Sequence, residues 1–586
     1  MAVEGSIAAE ALQAVQSFLA THGSRLSGAG LEAISALLEA LEAGLNGELE
    51  PAYFLSSIDP GMGKTISVSL FLKAWKGRGF QPASSVLIGV SRLSEIRAYV
   101  ATSGLAEADF GVLTSDKEMN SFGVPEGQHG TAPILFTTQQ MIESRTRNRS
   151  FGAASEFHYE DGPRPLRIWD ESLIPGHPQT LSLDDLGLLA SPLRIRHRTF
   201  VEAVEELQET LRQAKPGDVV EVPEYLSELA PPGFQGNIAN VLKTLRAMAG
   251  SSALLVDGGG GTKVLVASTP SLPDDFAPAV ILDASGRVRT TYGLWEQHRQ
   301  TLRRLPAAQS DYTNLTIRLW QRASGKLALE EPANRSRIAA GVAQVINDAD
   351  PAEWLIVHYK GNQAIFDEVS ALVEKRPSVC LHSLTWGQHH GTNQYAHVSN
   401  IVIVGRQHYG LAGFYAHGAA ASGLPADRLA DVDVDDLARG EFKHHLLQAV
   451  CRSSVRRSRN GQAGMCRAFI VTTGSPQIEE EVKATFPGCR LWPWRSVAAP
   501  MKGQRGRAAD YLREAFEDPK VDWVRKADLC RDLQIDKRNL SALIKHPEFE
   551  EFLGSELIFA EGQRFSKQRV SFDPYPEGGW DSDFDE

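Results

Sequence analysis

The sequence predicts an α/β protein whose two main domains are each built around a mostly parallel β-sheet. Short apolar runs recur along the chain, and helical stretches separate most of them, which is typical of parallel strands joined by crossover helices. A second series of such runs begins past residue 350. The chain has 586 residues, too many for one hydrophobic core, so we expect roughly two to four domains.

The composition is that of a globular protein. Hydrophobic residues make up 42% and charged residues 23% of the chain, values typical of soluble domains. The five cysteines form no C-x-x-C pair, which argues against a disulfide framework or a cysteine-built metal site. No apolar run is long enough to span a membrane, and the first residues carry acids where a signal peptide needs basic residues. We therefore expect a cytoplasmic protein with no membrane partner.

The elements of the first domain follow a helical N-terminal segment, residues 1–48, whose leucines recur at helical spacing. The domain is expected over 49–300. Its predicted strands are YFLSSI, SVLIGVS, FGVLTS, PILFTT, LRIWDES, KVLVAST and AVILDAS. The stretch 199–250 interrupts this series with helical patterns, which predicts a helical insertion within the domain.

The second domain is expected over 301–498. Its predicted strands are WLIVHYK, SVCLHSL, NIVIVGR and CRAFIVT. Residues 505–572 then turn polar and helical, and residues 573–586 form an acidic tail that we expect to be solvated.

A phosphate-binding loop is predicted where the first strand passes into a helix. Gly61, Gly63, Lys64 and Thr65 complete the pattern G-x-x-x-x-G-K-[ST], in which Ile58 replaces the first glycine. In such loops successive backbone N–H groups and the helix N-terminus face the phosphates of a nucleotide. The lysine reaches the terminal phosphates and the hydroxyl holds Mg²⁺. The pattern therefore predicts an ATP site that uses Mg²⁺.

A pair of carboxylates follows another predicted strand about a hundred residues later. In RIWDES, Asp170 and Glu171 stand where the strand ends. An ATPase needs one acid to complete the metal shell and one to polarise the attacking water. We assign the first role to Asp170 and the second to Glu171.

Together these motifs resemble those of superfamily 2 (DEAD/DEAH-like) helicases, over roughly residues 50–475. The resemblance implies two RecA-like domains with ATP between them and nucleic acid as the partner. SVLIGVSRLSEI and ILFTTQQMI are similar to the segments of that family that contact the nucleic-acid backbone. Asp283-Ala284-Ser285 is similar to its third motif, and Ser268-Thr269 is a competing candidate for the same role.

Two further motifs of that family fall in the second domain. WGQHHGTNQY, with Gly387, Gly391, Thr392 and Asn393, is similar to the fifth motif of phage- and plasmid-type helicases and suggests a mobile-element context. QAVCRSSVRR is similar to the sixth motif, whose arginines stabilise charge on the transferring phosphate. The resemblance implies that Gln448 contacts the nucleotide and that Arg452 is an arginine finger. Val455 occupies the next expected position, and Arg456 is the candidate second finger.

The C-terminal segment 505–572 resembles a helix-turn-helix or winged-helix module. Gln534-Ile535 is a predicted turn, and Asp536 caps a helix that would carry Lys537, Arg538 and Lys545 on its outer face. Such a helix enters the major groove or lies on phosphates. The net charge of −12 gives no global attraction to nucleic acid, so any binding surface must be local.

These patterns predict an ATP-dependent helicase or translocase that moves along nucleic acid, with DNA the expected partner. An ATPase that never separates strands would carry the same motifs. A DNA-binding regulatory or replication-initiation protein, with its ATPase as a switch, is the alternative of a different class.

Overall fold

The structure is a computed structural model. It describes residues 5–81, 84–259, 261–388, 394–473, 477–494, 503–518, 521–546, 549, 552–553 and 558–567. Two parallel sheets with helices on their faces dominate it, so the predicted α/β fold with two RecA-like domains is confirmed. Among the described helices, none is both long and apolar enough to cross a membrane.

The N-terminal segment contains two helices. Gly23 takes a left-handed backbone (φ +66°) that ends the first helix, and the Ser27 side chain accepts from the Gly30 N–H to begin the second. The elements to the end of the fifth long strand are α1 (Ile7–Thr21), α2 (Gly28–Leu45), β1 (Tyr53–Ser56), α3 (Lys64–Gly77), β2 (Val86–Val90), α4 (Leu93–Ser103), β3 (Phe110–Leu113), β4 (Ile134–Thr138), α5 (Gln139–Thr146), β5 (His158–Tyr159), β6 (Gly162–Pro163) and β7 (Leu166–Asp170).

An inserted unit follows β7. Its elements are β8 (Gly176–Ser182), α6 (Leu183–Leu193), α7 (Arg198–Gln213), β9 (Val219–Glu221), α8 (Tyr225–Leu229), α9 (Gly236–Met248), β10 (Ser252–Asp257) and β11 (Lys263–Pro270). The four strands form their own antiparallel sheet in the order β8-β11-β10-β9. The insertion thus contains the predicted helices, but the assignment of KVLVAST to the parallel sheet was wrong, because that segment is β11.

The first parallel sheet is completed after the insertion. Its remaining elements are β12 (Ala279–Leu282), α10 (Thr290–His298) and β13 (Leu302–Arg304). The order is β13-β1-β12-β7-β2-β4-β3, and every pair is parallel. Strands β2, β7 and β12 are buried along their whole length because helices cover both faces of the sheet. The sheet reaches a few residues beyond position 300.

The second domain repeats this plan. Its elements are β14 (Leu315–Gln321), α11 (Lys326–Glu330), α12 (Pro332–Asp348), β15 (Glu353–His358), α13 (Gln363–Leu372), β16 (Cys380–Thr385), β17 (Asn400–Val404), α14 (Gly410–Ser422), α15 (Val434–Val450), β18 (Cys466–Thr472), α16 (Ile478–Thr485) and β19 (Arg490–Pro493). The order β16-β15-β17-β18-β14-β19 is parallel throughout. The strands β14 and β19 were not predicted, because polar residues interrupt their apolar pattern.

Helix α14 connects the second domain to the insertion of the first. Its alanines pack against apolar side chains of β10 and β11, including Leu254 and Val266, in one buried cluster. The Arg299 guanidinium, which follows α10, donates to the carbonyl oxygens of Ala420 and Ala421 at 3.0 Å each. These contacts cap the last turn of α14 and fix it to the first domain.

The C-terminal unit has a separate core. Its elements are α17 (Gly503–Glu517), β20 (Trp523–Arg525), α18 (Lys526–Leu533), α19 (Lys537–Ile544), β21 (Ile558–Glu561) and β22 (Arg564–Lys567). Leu512, Leu529 and Phe565 are among the buried residues of this core. The three strands form an antiparallel sheet in the order β20-β22-β21. Gln534 takes a left-handed backbone between α18 and α19, and the Asp536 side chain accepts from the Arg538 N–H at the start of α19.

Candidate functional site

The site forms where three neighbouring strands of the first sheet end together. In register, Ser56 of β1 lies beside Leu282 of β12, which lies beside Asp170 of β7. The chain leaves β1 into the phosphate loop, β12 into Asp283, and β7 into Glu171. Ligands of open parallel sheets bind beyond the carboxyl ends of the strands. The fold therefore collects the phosphate loop and the carboxylates at one edge.

The phosphate loop turns on glycines whose backbones are left-handed. Gly61 has φ +83° and Gly63 has φ +100°, and α3 begins immediately after them at Lys64. The Lys64 ammonium donates to the Ile58 carbonyl oxygen across the loop. Burial lowers the pKa of Lys64, while the nearby carboxylates of Asp283 and Asp170 favour its charged form. The loop thus holds a cation and a helix N-terminus next to the same cavity.

The two acids after β7 lie in different surroundings. Asp170 is buried, and its Oδ2 accepts from the Tyr99 hydroxyl at 2.6 Å. Glu171 has φ +90°, and its N–H donates to the Leu282 carbonyl oxygen at 3.2 Å. Burial raises the pKa of both carboxyls, and the Arg452 guanidinium opposes this for Glu171. A carboxyl with a raised pKa is suited to accept a proton near neutral pH.

The second domain brings its arginines to the same place. Helix α15 carries Gln448 near its end, and the chain continues into a short 3₁₀ turn, Ser454–Arg456. Arg452 donates to the Gln448 side-chain oxygen at 2.6 Å and to its carbonyl oxygen at 3.1 Å. Burial lowers the pKa of Arg452, and together with Arg452 it lowers that of Arg456 to about 10. At a pKa of about 10 the Arg456 guanidinium stays charged at neutral pH.

The sixth-motif segment touches the phosphate loop directly. A Cβ at Gly61 would lie 1.6 Å from the Arg456 carbonyl oxygen, so only glycine fits there in this arrangement. One cavity of about 200 Å³ lies between the domains. Its lining is Asp59, Pro60, Gly61, Gly63, Lys64, Thr65, Ile66, Asp170, Glu171, Leu282, Asp283, Ala284, Gln448, Arg452 and Arg456. Every residue proposed from sequence for ATP or Mg²⁺ is in this set.

The two candidates for the third motif lie in different sheets. Asp283 follows β12 and lines the cavity, and it accepts from the Ser285 hydroxyl at 2.7 Å. Ser285 in turn meets His444 of α15 at 2.6 Å. Ser268 and Thr269 lie on β11 in the insertion, and neither lines the cavity. The geometry therefore favours Asp283-Ala284-Ser285.

The oxygen donors at the cavity fit a magnesium ion. Asp170 offers its second carboxylate oxygen, since Tyr99 holds the first. The Thr65 hydroxyl stands at the start of α3 and lines the same cavity. Mg²⁺ prefers a few carboxylate and hydroxyl oxygens together with the phosphates of a substrate. Thr65 and Asp170 are the residues that would hold it.

Part of the fifth-motif segment falls outside the described residues. Gly391, Thr392 and Asn393 belong to that part. Gly387 is described, and the carbonyl oxygen of the next residue, Gln388, accepts from Arg92 at 2.9 Å. The first domain therefore contacts the beginning of this segment through the residue that precedes α4.

Two ion pairs at the domain boundary were not predicted from the sequence. Asp59, in the phosphate loop, pairs with Arg287 at 2.7 Å and accepts from the Tyr312 hydroxyl at 2.7 Å. Arg289 pairs with Glu441 of α15 at 2.6 Å, and both side chains are buried. The partners are far apart in sequence, and no local pattern marks them. Tyr99 was missed for the same reason, since it lies within α4, apart from any motif.

The comparisons with known proteins give similarity in structure only. The sequence matches no protein-family model and no curated protein. A structure of an XPD helicase is 13% identical, with a TM-score of 0.42, over 80% of this chain and 100% of that one. S. cerevisiae Dbp5 bound to RNA and ADP BeF3 is 11% identical, with a TM-score of 0.34, over 80% and 94% of the two chains. Mycobacterium smegmatis helicase Lhr bound to ssDNA and AMP-PNP is 12% identical, with a TM-score of 0.31, over 96% and 60%. Similarities at this level assign no residue, substrate or activity to the chain.

Proposed function

We propose that the chain hydrolyses ATP between its two RecA-like domains and uses the cycle to move along nucleic acid, as a helicase or translocase. The observation that carries this proposal is the shared cavity. One domain supplies the phosphate loop and the carboxylates, and the other supplies Gln448, Arg452 and Arg456. When both domains complete a site, hydrolysis depends on their closure, and closure is the step that a motor converts into movement.

The phosphates of ATP are held from the first domain in this mechanism. The N–H groups at the start of α3 and the Lys64 ammonium face them. Thr65 and Asp170 would hold Mg²⁺, which when bound neutralises charge on the phosphates. The 2.6 Å bond from Tyr99 fixes the Asp170 carboxylate in one orientation. The phosphates and Mg²⁺ are therefore held by residues of the first domain, while Gln448 of the second domain lines the same cavity.

The chemical step would need both domains. Glu171 accepts the proton of the attacking water, a role that its raised pKa supports. The guanidinium of Arg452 stabilises the charge that develops on the transferring phosphate, and Arg456 is placed as a second cation. Gln448 accepts from Arg452 and so orients it toward the cavity. Opening of the domains would withdraw the arginines and stop hydrolysis.

The C-terminal unit is the proposed DNA anchor. The order helix, strand, helix, helix and hairpin supports a winged-helix-like module. Lys537, Arg538 and Lys545 are exposed on or next to α19, where they can contact phosphates or the major groove. Single DNA strands or duplexes bound here would raise the local concentration of substrate for the two RecA-like domains.

ATP turnover with and without DNA tests the proposal. Wild-type protein is expected to hydrolyse ATP faster when DNA is added, and Lys64→Ala should abolish turnover with an unchanged circular dichroism spectrum. Lys73→Ala, a change on the same helix outside the cavity, is the matched control and should retain activity. A strand-displacement assay then separates a helicase from a translocase. DNA-independent turnover in the wild type would contradict a motor, and full turnover in Lys64→Ala would contradict the site.

The contact between α14 and the insertion favours a second candidate, a DNA-binding protein whose ATPase acts as a switch. Apolar packing and the Arg299 contacts join the two domains away from the cavity. A switch needs only one change of state for each ATP, whereas a motor must open and close repeatedly. If DNA affinity depends on which nucleotide is bound but the protein does not move along DNA during ATP turnover, the protein is a switch. Displacement of a bound streptavidin from biotinylated DNA would indicate a motor.

A further inference from the structure

The sheet of the C-terminal unit presents two aromatic side chains to solvent. Trp523 of β20 and Phe559 of β21 are each 46% exposed. Their neighbours on the same strands, Val524 and Ile558, are buried in the core of the unit. Side chains alternate between the faces of a strand, so this alternation separates an inner face from an outer one. Exposed apolar side chains mark a binding surface when they form one patch rimmed by polar residues, whereas isolated ones need no explanation.

The strand register places the two rings in one row. Trp523 pairs with Ser566 of β22, and Ser566 pairs with Phe559. Residues opposite each other in an antiparallel sheet point to the same face. Trp523 and Phe559 therefore flank a small side chain on the outer face. Two strand spacings separate them, about 10 Å, which leaves room for a planar group on each ring.

The next row of the same face carries positive charge. Arg525 pairs with Arg564, which pairs with Glu561, and all three side chains are exposed. The Arg525 guanidinium lies 5.5 Å from the centre of the Trp523 ring. Arg525 and Arg564 form no ion pair with any of the described residues. The outer face thus combines two flat apolar rings with two guanidinium groups, against a single carboxylate.

We propose that this outer face, formed by Trp523, Phe559, Arg525 and Arg564, binds single-stranded nucleic acid by stacking unpaired bases on its rings. Bases and indole or phenyl rings stack without sequence preference, and arginines beside them contact the phosphates. A duplex hides the faces of its bases, so it could use only the arginines. The arrangement therefore fits a single strand better than the duplex groove that α19 would enter.

The proposal deepens the proposed function, since it assigns the unpaired strand to a surface separate from the ATP site and from α19. It rests on the idea that the chain acts on nucleic acid, but it does not require ATP turnover. A protein that binds DNA yet never hydrolyses ATP would still test it. The experiment therefore measures binding of the full chain to a fluorescein-labelled oligo(dT) by anisotropy, without nucleotide.

The double variant Trp523→Ala/Phe559→Ala should bind the oligonucleotide much more weakly. The loss of one base–aromatic stack to alanine corresponds to about a tenfold change in affinity, so we expect about a hundredfold for the pair. The conservative variant Trp523→Phe keeps a ring at this position and should retain most of the wild-type affinity for the oligonucleotide. Tyr225→Ala is the matched control, because Tyr225 is 44% exposed on α8 of the insertion; it should bind like the wild type. Melting temperatures should stay within a few degrees, since both rings lie outside the core.

Salt dependence separates the rings from the arginines. The plot of log K against log salt has a negative slope, and its magnitude decreases by about 0.7 when a protein gives up one phosphate interaction with a single strand. Arg525→Gln and Arg564→Gln should each make the slope less negative, whereas Trp523→Ala should weaken binding at an unchanged slope. Wild-type affinity in the double variant would overturn the proposal.

Discussion

The buried ion pair between Arg289 and Glu441 is the contact across the domain boundary whose energy is most open to measurement. Arg289 follows the third-motif segment of the first domain, and Glu441 belongs to α15, the helix that leads to Arg452 and Arg456. The pair is bidentate, with 2.6 and 2.9 Å bonds, and the Thr291 hydroxyl donates to the same carboxylate at 2.6 Å. The side chains are 4% and 1% exposed. Solvent therefore screens the interaction little.

The energy of this ion pair follows from the cost of breaking a buried pair and from the pKa of Glu441. Removing one partner of a buried pair costs about 3–5 kcal/mol, because the other charge stays buried without compensation. Burial alone would raise the pKa of Glu441, but the Arg289 guanidinium outweighs it and lowers the pKa from 4.5 to about 2. That difference corresponds to about 3 kcal/mol of stability. Because the pKa is lower in the folded protein, this stability is present above about pH 4.5 and is lost as the pH falls toward about 2.

The assay is a double-mutant cycle on urea unfolding near neutral pH. Glu441→Leu alone should lower the free energy of unfolding by about 3–5 kcal/mol, and Arg289→Met alone should have a similar effect. The double variant replaces both charges with apolar groups, so it should lose much less than the sum. In Glu441→Leu the loss of stability between pH 4.5 and 2 should also shrink. Additive effects, with coupling below about 0.5 kcal/mol, would refute the idea that this pair holds the domains together.

The remaining predictions concern the cavity and the C-terminal unit. Glu171→Gln should keep ATP affinity in equilibrium binding but lower turnover by about 10²–10⁴-fold; wild-type turnover would remove Glu171 as the base. In the wild type, kcat should rise with pH through a pKa above the ordinary 4.5 of a glutamate, because burial raises the pKa of Glu171, and a rise in kcat that is complete below pH 4.5 would contradict this. Tyr99→Phe removes the hydrogen bond to the Asp170 carboxylate, and a hydrogen bond to a charged group is worth about 1.5 kcal/mol or more. Half-maximal ATPase activity should therefore need roughly tenfold more Mg²⁺, while the maximal rate stays similar. Removing residues from about 505 onward should raise the DNA concentration for half-maximal ATPase, most strongly at low salt, while the maximal rate changes little; unchanged DNA affinity would contradict the anchor.

The parts of the fold that the sequence predicted are those with a strong local pattern. The parallel strands β1, β2, β4, β7 and β12 are continuous apolar runs because helices cover both faces of their sheet. The phosphate loop is equally local, since Gly61, Gly63, Lys64 and Thr65 all lie within five residues. Asp170 and Glu171 could be found because a strand end places them beside that loop. These features need no knowledge of the rest of the chain.

The insertion shows where such patterns stop being informative. KVLVAST is as apolar as the strands of the main sheet, yet it pairs antiparallel with β8 and β10. A short apolar run indicates that a strand is buried, but it does not indicate to which sheet the strand belongs. The same limit applies to Tyr99, Arg289 and Glu441, whose partners are 71 and 152 residues away along the chain. Only the three-dimensional arrangement brings these side chains together.

In the sixth-motif segment, the second arginine stands one residue later than the spacing of the family predicts. A helical R-x-x-R spacing would place the second arginine at Val455. Helix α15 ends at Val450, however, and the chain continues into the 3₁₀ turn Ser454–Arg456. The segment from Arg452 to Arg456 is therefore outside the α-helix, and α-helical spacing does not decide which of its side chains faces the cavity. Val455 is 1% exposed in the core of the second domain, and Arg456 lines the cavity.

If Arg456 rather than a residue at 455 is the second finger, Arg456→Ala should lower ATP turnover by more than tenfold. Arg457→Ala, an exposed neighbour, should leave turnover unchanged; equal losses in both variants would mean that the segment acts only through its overall charge.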